Sequence, residues 1–199
     1  MVAVTKTVSA SLVREAYECG LRHFGENRVQ EAVAKEKSLD DLRGVTWHLL
    51  GHLQTNKAKK ALGLFDCVQS LDSLRLARVL NGEAERCGNR LPCLVEIKVS
   101  EEPEKQGLPP ESLDEFLARA DEWPFLSLEG LMIVAPYFDD PRRARPYFRR
   151  ARDLFDRNRG RFRGERPLLS MGMSQDFEPA VEEGANMIRI GTALFGERV

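Results

Sequence analysis

Short apolar runs alternate along this chain with longer stretches in which apolar residues return every three or four positions. The runs predict strands over residues 2–5, 21–24, 45–50, 64–68, 92–99, 126–134, 168–170 and 187–190. Nearly continuous apolar runs suit strands covered on both faces, as parallel strands between helices are. The stretches between predict helices over residues 9–19, 55–62, 111–120, 139–158 and 175–183. Two more run from Gly25-Glu26-Asn27-Arg28 through Lys37 and from Ser70-Leu71-Asp72-Ser73 to about Arg86. Ser9 has the chemistry of an N-cap and Gly20 that of a stop. The helix over 139–158 shows its buried stripe in Tyr147, Phe148, Ala151, Leu154 and Phe155. A polar loop, residues 100–110, carries Lys105 and Gly107.

Strands alternating with helices predict an α/β fold with a parallel sheet. Eight such units predict a closed (β/α)8 TIM barrel over an open sheet. At 199 residues the barrel is compact beside the about 250 usual for this fold. No Pro/Gly/Ser-rich linker and no repeat divides the chain, so residues 1–199 are expected to be a single domain.

Composition narrows the function without naming it. Hydrophobic residues at 42% supply a core, and a net charge of −1 recruits neither nucleic acid nor membrane. Between residues 142 and 166 stand eleven arginines, interleaved with Asp153, Asp156 and Glu165 and preceded by Asp139 and Asp140. Mixed charge beside an apolar stripe points to a solvated helix face, not to nucleic acid. No apolar stretch is long enough for a membrane span, and no signal peptide is visible at the start. Cys19, Cys67, Cys87 and Cys93 form no C-x-x-C pair and read as reduced thiols of a cytoplasmic protein. His23, His48 and His52 do not fall at a metal-ligand spacing with them.

The candidate chemistry lies at the two ends of the chain. The first strand runs into Lys6, where a barrel strand opens into its loop; an amine there is placed for a Schiff base with an aldehyde. Alone, a strand-end lysine reads as a solvated charge. After the seventh and eighth predicted strands come Ser170-Met171-Gly172-Met173-Ser174 and Arg189-Ile190-Gly191-Thr192. Barrels often hold phosphate on these two loops, where backbone N–H groups point outward. Gly172 would let backbone approach closely, and Ser174 would donate a hydroxyl or cap the next helix. Ordinary capped turns are the alternative. An amine and a phosphate cradle together suggest pyridoxal 5′-phosphate. Arg189, inside the last strand, would pair with a buried carboxylate or face the cofactor's ring nitrogen. His52, at a strand mouth, reads as a polar loop residue or an acid–base group, and Lys57, Lys59 and Lys60 as a solvated face or a docking spot.

These segments resemble a known family. Val2-Ala3-Val4-Thr5-Lys6-Thr7, Phe24-Gly25-Glu26-Asn27-Arg28-Val29-Gln30-Glu31, Trp47-His48-Leu49-Leu50-Gly51-His52-Leu53-Gln54-Thr55-Asn56-Lys57, Gly130-Leu131-Met132, Ser170-Met171-Gly172-Met173-Ser174-Gln175-Asp176 and Ile188-Arg189-Ile190-Gly191-Thr192-Ala193-Leu194-Phe195-Gly196 are similar, in order, to the YggS/PROSC family of pyridoxal phosphate homeostasis proteins. The resemblance implies a fold-type III barrel like the N-terminal domain of alanine racemase, with the cofactor held as an internal aldimine on Lys6. It implies that Ser174, Gly191 and Thr192 hold the phosphate, that Arg189 faces the ring nitrogen and that Asn27 stands near the ring. It implies a carrier or buffer of the cofactor in vitamin B6 and amino-acid homeostasis, not an enzyme, with pyridoxal-phosphate-dependent apo-enzymes as partners and a monomeric, cytoplasmic state. Family members carry a helix before the first strand. Met1 abuts that strand here, so exposed apolar surface is expected.

Two other functions compete. An amino-acid racemase of the same barrel type needs an acid or base on each face of the reacting carbon. One comes from a second domain, and this sequence ends nine residues after its last predicted strand. A barrel enzyme acting on a phosphorylated metabolite would need no cofactor and would not absorb visible light.

Overall fold

The computed structural model of the chain describes residues 1–100, 102 and 106–197. Eight strands form a closed barrel in sequence order: β1 (Val2–Val4), β2 (His23–Glu26), β3 (Thr46–Leu49), β4 (Cys67–Leu71), β5 (Leu91–Ile97), β6 (Leu126–Ile133), β7 (Leu168–Met173) and β8 (Met187–Ile190). Each pairs in parallel with the next, and β1 closes on β8 with Val2 opposite Arg189 and Ala3 opposite Ile190. The α-helices that return the chain are α1 (Ala10–Glu18), α2 (Val29–Leu39), α3 (Ala58–Leu62), α4 (Leu74–Cys87), α5 (Leu113–Ala118), α6 (Arg145–Asn158) and α7 (Phe177–Glu182); a short α8 (Thr192–Phe195) follows β8. This is the (β/α)8 barrel that the alternation predicts.

The main core lies between barrel wall and helices, with Phe116, Trp123, Phe148, Leu76 and Leu80 almost wholly buried. A smaller cluster of Ala3, Val13, Ala16, Phe24 and Leu39 seals α1 and α2 against the first strands. Side chains alternate along each strand. Phe24 and Trp47 turn outward, their rings 5.5 Å apart, and the intervening positions face the lumen.

Several boundaries differ from the sequence reading for identifiable reasons. The strand expected over 21–24 is His23–Glu26, because the Leu21 N–H completes the end of α1 by donating to the Ala16 carbonyl. The strand expected over 64–68 is Cys67–Leu71, because Leu64 and Phe65 donate to the Ala61 carbonyl in the turn after α3. The helix over 139–158 opens with a 3-10 turn, Pro141–Ala144, begun by the Asp140 side chain accepting from the Arg142 N–H. Lys105 lies outside the described residues. Of the large apolar residues more than a third exposed, Met1 precedes β1, Tyr137 and Met173 line the mouth, and Val181 and Leu194 lie on α7 and α8.

Candidate functional site

The chain leaves β1 under tight control. Thr5 donates its N–H to the Gly25 carbonyl at 2.9 Å and its hydroxyl to Glu26 Oε1 at 2.6 Å, and its own carbonyl accepts from Lys35 Nζ at 2.5 Å. Lys35 also reaches Glu26 Oε1 at 2.7 Å. Glu26 is wholly buried; burial pushes its carboxyl up, and the hydrogen bonds from Lys35 and Thr5 pull it back. Lys6 comes next, and Thr7 turns the chain with φ 61°. Lys6 is half-buried and makes no hydrogen bond or ion pair among the described residues. Its clamped neighbour aims it; nothing occupies its amine.

Lys6 lines a cavity of about 450 Å³ at the C-terminal mouth of the barrel, together with Arg189, Ser174, Gly191, Thr192 and Tyr137. Four of the sequence-predicted residues thus join Lys6 in one cavity. Ser174 does not cap α7. Its Oγ accepts from the N–H groups of Gly191 and Ala193 at 3.1 and 3.2 Å, so it ties the loop after β7 to the start of α8 and keeps its own O–H free to donate. Gly172 serves a different end from the backbone approach expected of it. At φ +91° its place for a Cβ lies 2.6 Å from Ala180 Cβ and 2.9 Å from Phe177 Cα, so its missing side chain seats α7 on β7.

Arg189, 4% exposed, has no carboxylate partner among the described residues. Its Nη1 donates to Ser170 Oγ at 2.7 Å and its Nη2 to the Ile133 carbonyl at 2.8 Å. Burial lowers its pKa to about 10, and the charges of Glu96 and Asp176 act the other way, so it stays a cation at neutral pH. The remaining guanidinium N–H groups of its five have no acceptor among the described residues and border the cavity.

A polar run continues down the lumen. Ser170 Oγ donates to Gln69 Oε1 at 2.7 Å, Gln69 Nε2 to His48 Nδ1 at 3.1 Å, and His48 Nε2 to His23 Nδ1 at 3.0 Å. These directions satisfy every link, each donating away from Arg189. Burial drives the His48 pKa down to about 3, with the His23 charge adding to it, so the ring is neutral. Sequence reasoning missed this run. Its signal was polar residues at lumen-facing positions of apolar strands, as in Trp47-His48-Leu49 and Val68-Gln69-Ser70.

The other candidates lie elsewhere. Asn27 lines two neighbouring cavities and not the one that holds Lys6; one of the two shares Val134 with the Lys6 cavity. His52 is exposed and its Nδ1 sits 3.0 Å from Asp72 Oδ2. Six of the eleven arginines of 142–166 pair with carboxylates, among them Arg145 and Arg149 with Glu183, Arg152 with Asp156 and Arg161 with Asp114. No group of three or more potential metal ligands occurs among the described residues.

The family model of the alanine racemase N-terminal domain matches residues 1–199. A pyridoxal phosphate homeostasis protein of Aquifex aeolicus is 43% identical over all of this chain and 86% of its own. The protein of that name in Escherichia coli is 38% identical over all of this chain and 85% of its own. The chain belongs to the pyridoxal phosphate homeostasis protein family.

Solved structures agree. PipY of Synechococcus elongatus with PLP bound is 41% identical, with a TM-score of 0.89, covering 98% of this chain and 92% of that one. Its form without PLP gives 42% and 0.91 over 98% and 91%. An alanine racemase of Clostridium difficile shares 15% identity at a TM-score of 0.75 over 99% of this chain and 52% of its own, a likeness of fold alone. Within the pyridoxal phosphate homeostasis family, the matched stretch includes the β1 lysine and both mouth loops of this barrel.

Proposed function

We propose that this chain binds pyridoxal 5′-phosphate at the barrel mouth and carries or buffers it, in the service of vitamin B6 and amino-acid balance. One observation carries the reading. An unpartnered amine, Lys6, lines the same cavity as a buried guanidinium with spare donors, Arg189, and a serine–backbone cradle. That donor set fits an aldehyde, a ring nitrogen and a phosphate. Lys6 tethers the aldehyde. The Ser174 hydroxyl and the Thr192 backbone N–H take the phosphate, the Gly191 N–H holding Ser174 Oγ in place; Asn27, which lines the adjoining cavities, stands near the ring from the loop after β2. When bound, the cofactor supplies a reactive aldehyde and an electron sink. Arg189 restrains that sink: a guanidinium does not readily give the ring nitrogen a proton, so the protein holds the cofactor without driving carbanion chemistry.

On this reading residues 1–199 are one cofactor-binding domain, a monomer in the cytoplasm that delivers to apo-enzymes. Among the described residues no helix is long and apolar enough to cross a membrane. The test is borohydride reduction of the yellow protein followed by peptide mass mapping. The expected product is a pyridoxyl adduct on Lys6. An adduct on another lysine with Lys6 free overturns the assignment, and alanine racemisation at about 10 per second, an ordinary enzymatic rate, overturns the carrier role.

A further inference from the structure

We propose that a second cavity at the barrel mouth, beside that of Lys6, binds a free α-amino acid. The cavity measures about 240 Å³ and is lined by Asn27, His52, Glu96, Lys98, Ser100 and Gln106, and it shares Val134 with the Lys6 cavity. Its biological meaning rests on the cofactor reading above; its existence does not.

Three polar groups in it have no internal partner among the described residues. Ser100 is 7% exposed, and its buried Oγ makes no hydrogen bond. The Glu96 carboxyl makes none, and neither does the Lys98 amine; the two do not pair with each other. Being two positions apart on one strand and its continuation, Glu96 and Lys98 face the same side, their Cα atoms about 6.6 Å apart.

The backbone beneath them is fixed. The Lys98 N–H donates to the Leu108 carbonyl at 3.0 Å and the Leu108 N–H to the Glu96 carbonyl at 2.7 Å. Gly107 makes this bracket feasible: at φ +123° its place for a Cβ lies 2.6 Å from Lys98 N. His52 is already engaged by Asp72. Burial, then the charge of Asp72, push the Glu96 carboxyl up to about 7, against the pull of Arg189. A bound cation would relieve that.

A fixed acid and a fixed base on one wall, with a hydroxyl and an amide beside them, complement a zwitterion. The acid takes an α-ammonium; the Lys98 ammonium and the Ser100 hydroxyl take an α-carboxylate. A polyanion would meet Glu96, and a lone cation would leave Lys98 unmatched. The ligand's amine would wait in a cavity adjoining the one whose lysine holds the aldehyde.

The experiment uses protein whose cofactor has been reduced onto the chain with borohydride, so that no aldehyde remains and only non-covalent binding is read. Cofactor-free protein is run beside it. Calorimetric titration with L-alanine is compared with propionate, which lacks the ammonium, and ethylamine, which lacks the carboxylate. The expected result is saturable L-alanine binding in the millimolar range, with both truncated probes weaker by about tenfold or more. Glu96→Gln and Lys98→Met each weaken L-alanine about tenfold, and Ser100→Ala about threefold. Equal binding of the three probes, no binding, or unchanged affinity in a folded Glu96→Gln overturns the proposal. If Glu96→Gln does not fold, Lys98→Met decides by the same criterion. Loss of the Lys6 adduct with L-alanine still binding the cofactor-free protein would strike the cofactor reading alone; an intact adduct with no alanine binding strikes this one alone.

Discussion

Two cations are drawn into this fold and treated in opposite ways. Lys35 reaches from α2 to the end of β1, where its amine lies between the buried Glu26 carboxylate and the Thr5 carbonyl. Arg189, deeper still, is given a hydroxyl and a carbonyl and no carboxylate. The first arrangement is closed: charge meets charge, and the one oxygen left over, Glu26 Oε2, is buried and lines no part of the Lys6 cavity. The second is open: a whole positive charge and spare donors border a cavity. Closure marks a structural clamp, and openness marks a site.

The lumen run below Arg189 stays neutral, and the largest expected effect tests that neutrality. His48 has its pKa depressed by burial from 6.5 to about 3, so the unfolded chain takes up the proton first. Its contribution is complete above pH 6.5 and is lost as the pH falls toward 3, up to about 5 kcal/mol at 1.36 per unit. Urea melts of cofactor-free protein between pH 7 and 4 should show a shallower decline for His48→Gln than for the parent. Equal slopes would place a proton on the folded ring and end the claim of a neutral run.

Next comes the clamp. Lys35→Met strands the buried Glu26 carboxylate and should cost about 3–5 kcal/mol in chemical denaturation, with part recovered by adding Glu26→Gln. A loss under about 1 kcal/mol would show that water already reaches this pair. Arg189→Met makes the matching change at the open cation and should move cofactor-free stability by only about 1 kcal/mol, because lost hydrogen bonds offset relief of an uncompensated buried charge. A cost as large as that of Lys35→Met would make Arg189 a structural clamp as well.

The sequence carried the barrel in its alternation of apolar runs and amphipathic helices, and Lys6, Ser174, Arg189, Gly191 and Thr192 as one constellation. The barrel stands, and the five residues come to line one cavity, because both depend on local pattern and on strand order. What escaped depends on distance. Ser170 meets Gln69 across 101 residues of chain, and no periodicity says which lumen side chains will touch. Lys35 sits on a polar helix with nothing in the sequence to single it out; only barrel closure brings it behind β1. The slips at β2 and β4 have one cause: Leu21, Leu64 and Phe65 are apolar, yet their N–H groups are already committed to helix ends.

The thiols carry one more consequence. Cys67 and Cys93 sit buried in the neighbouring strands β4 and β5, where burial pushes both well above the usual thiol range, while Cys19 and Cys87 are exposed. An alkylating reagent therefore meets two cysteines on the closed barrel and four once these strands part. The slow appearance of the third and fourth labels is a clock built into the wall, ticking at the rate at which that side of the barrel breathes.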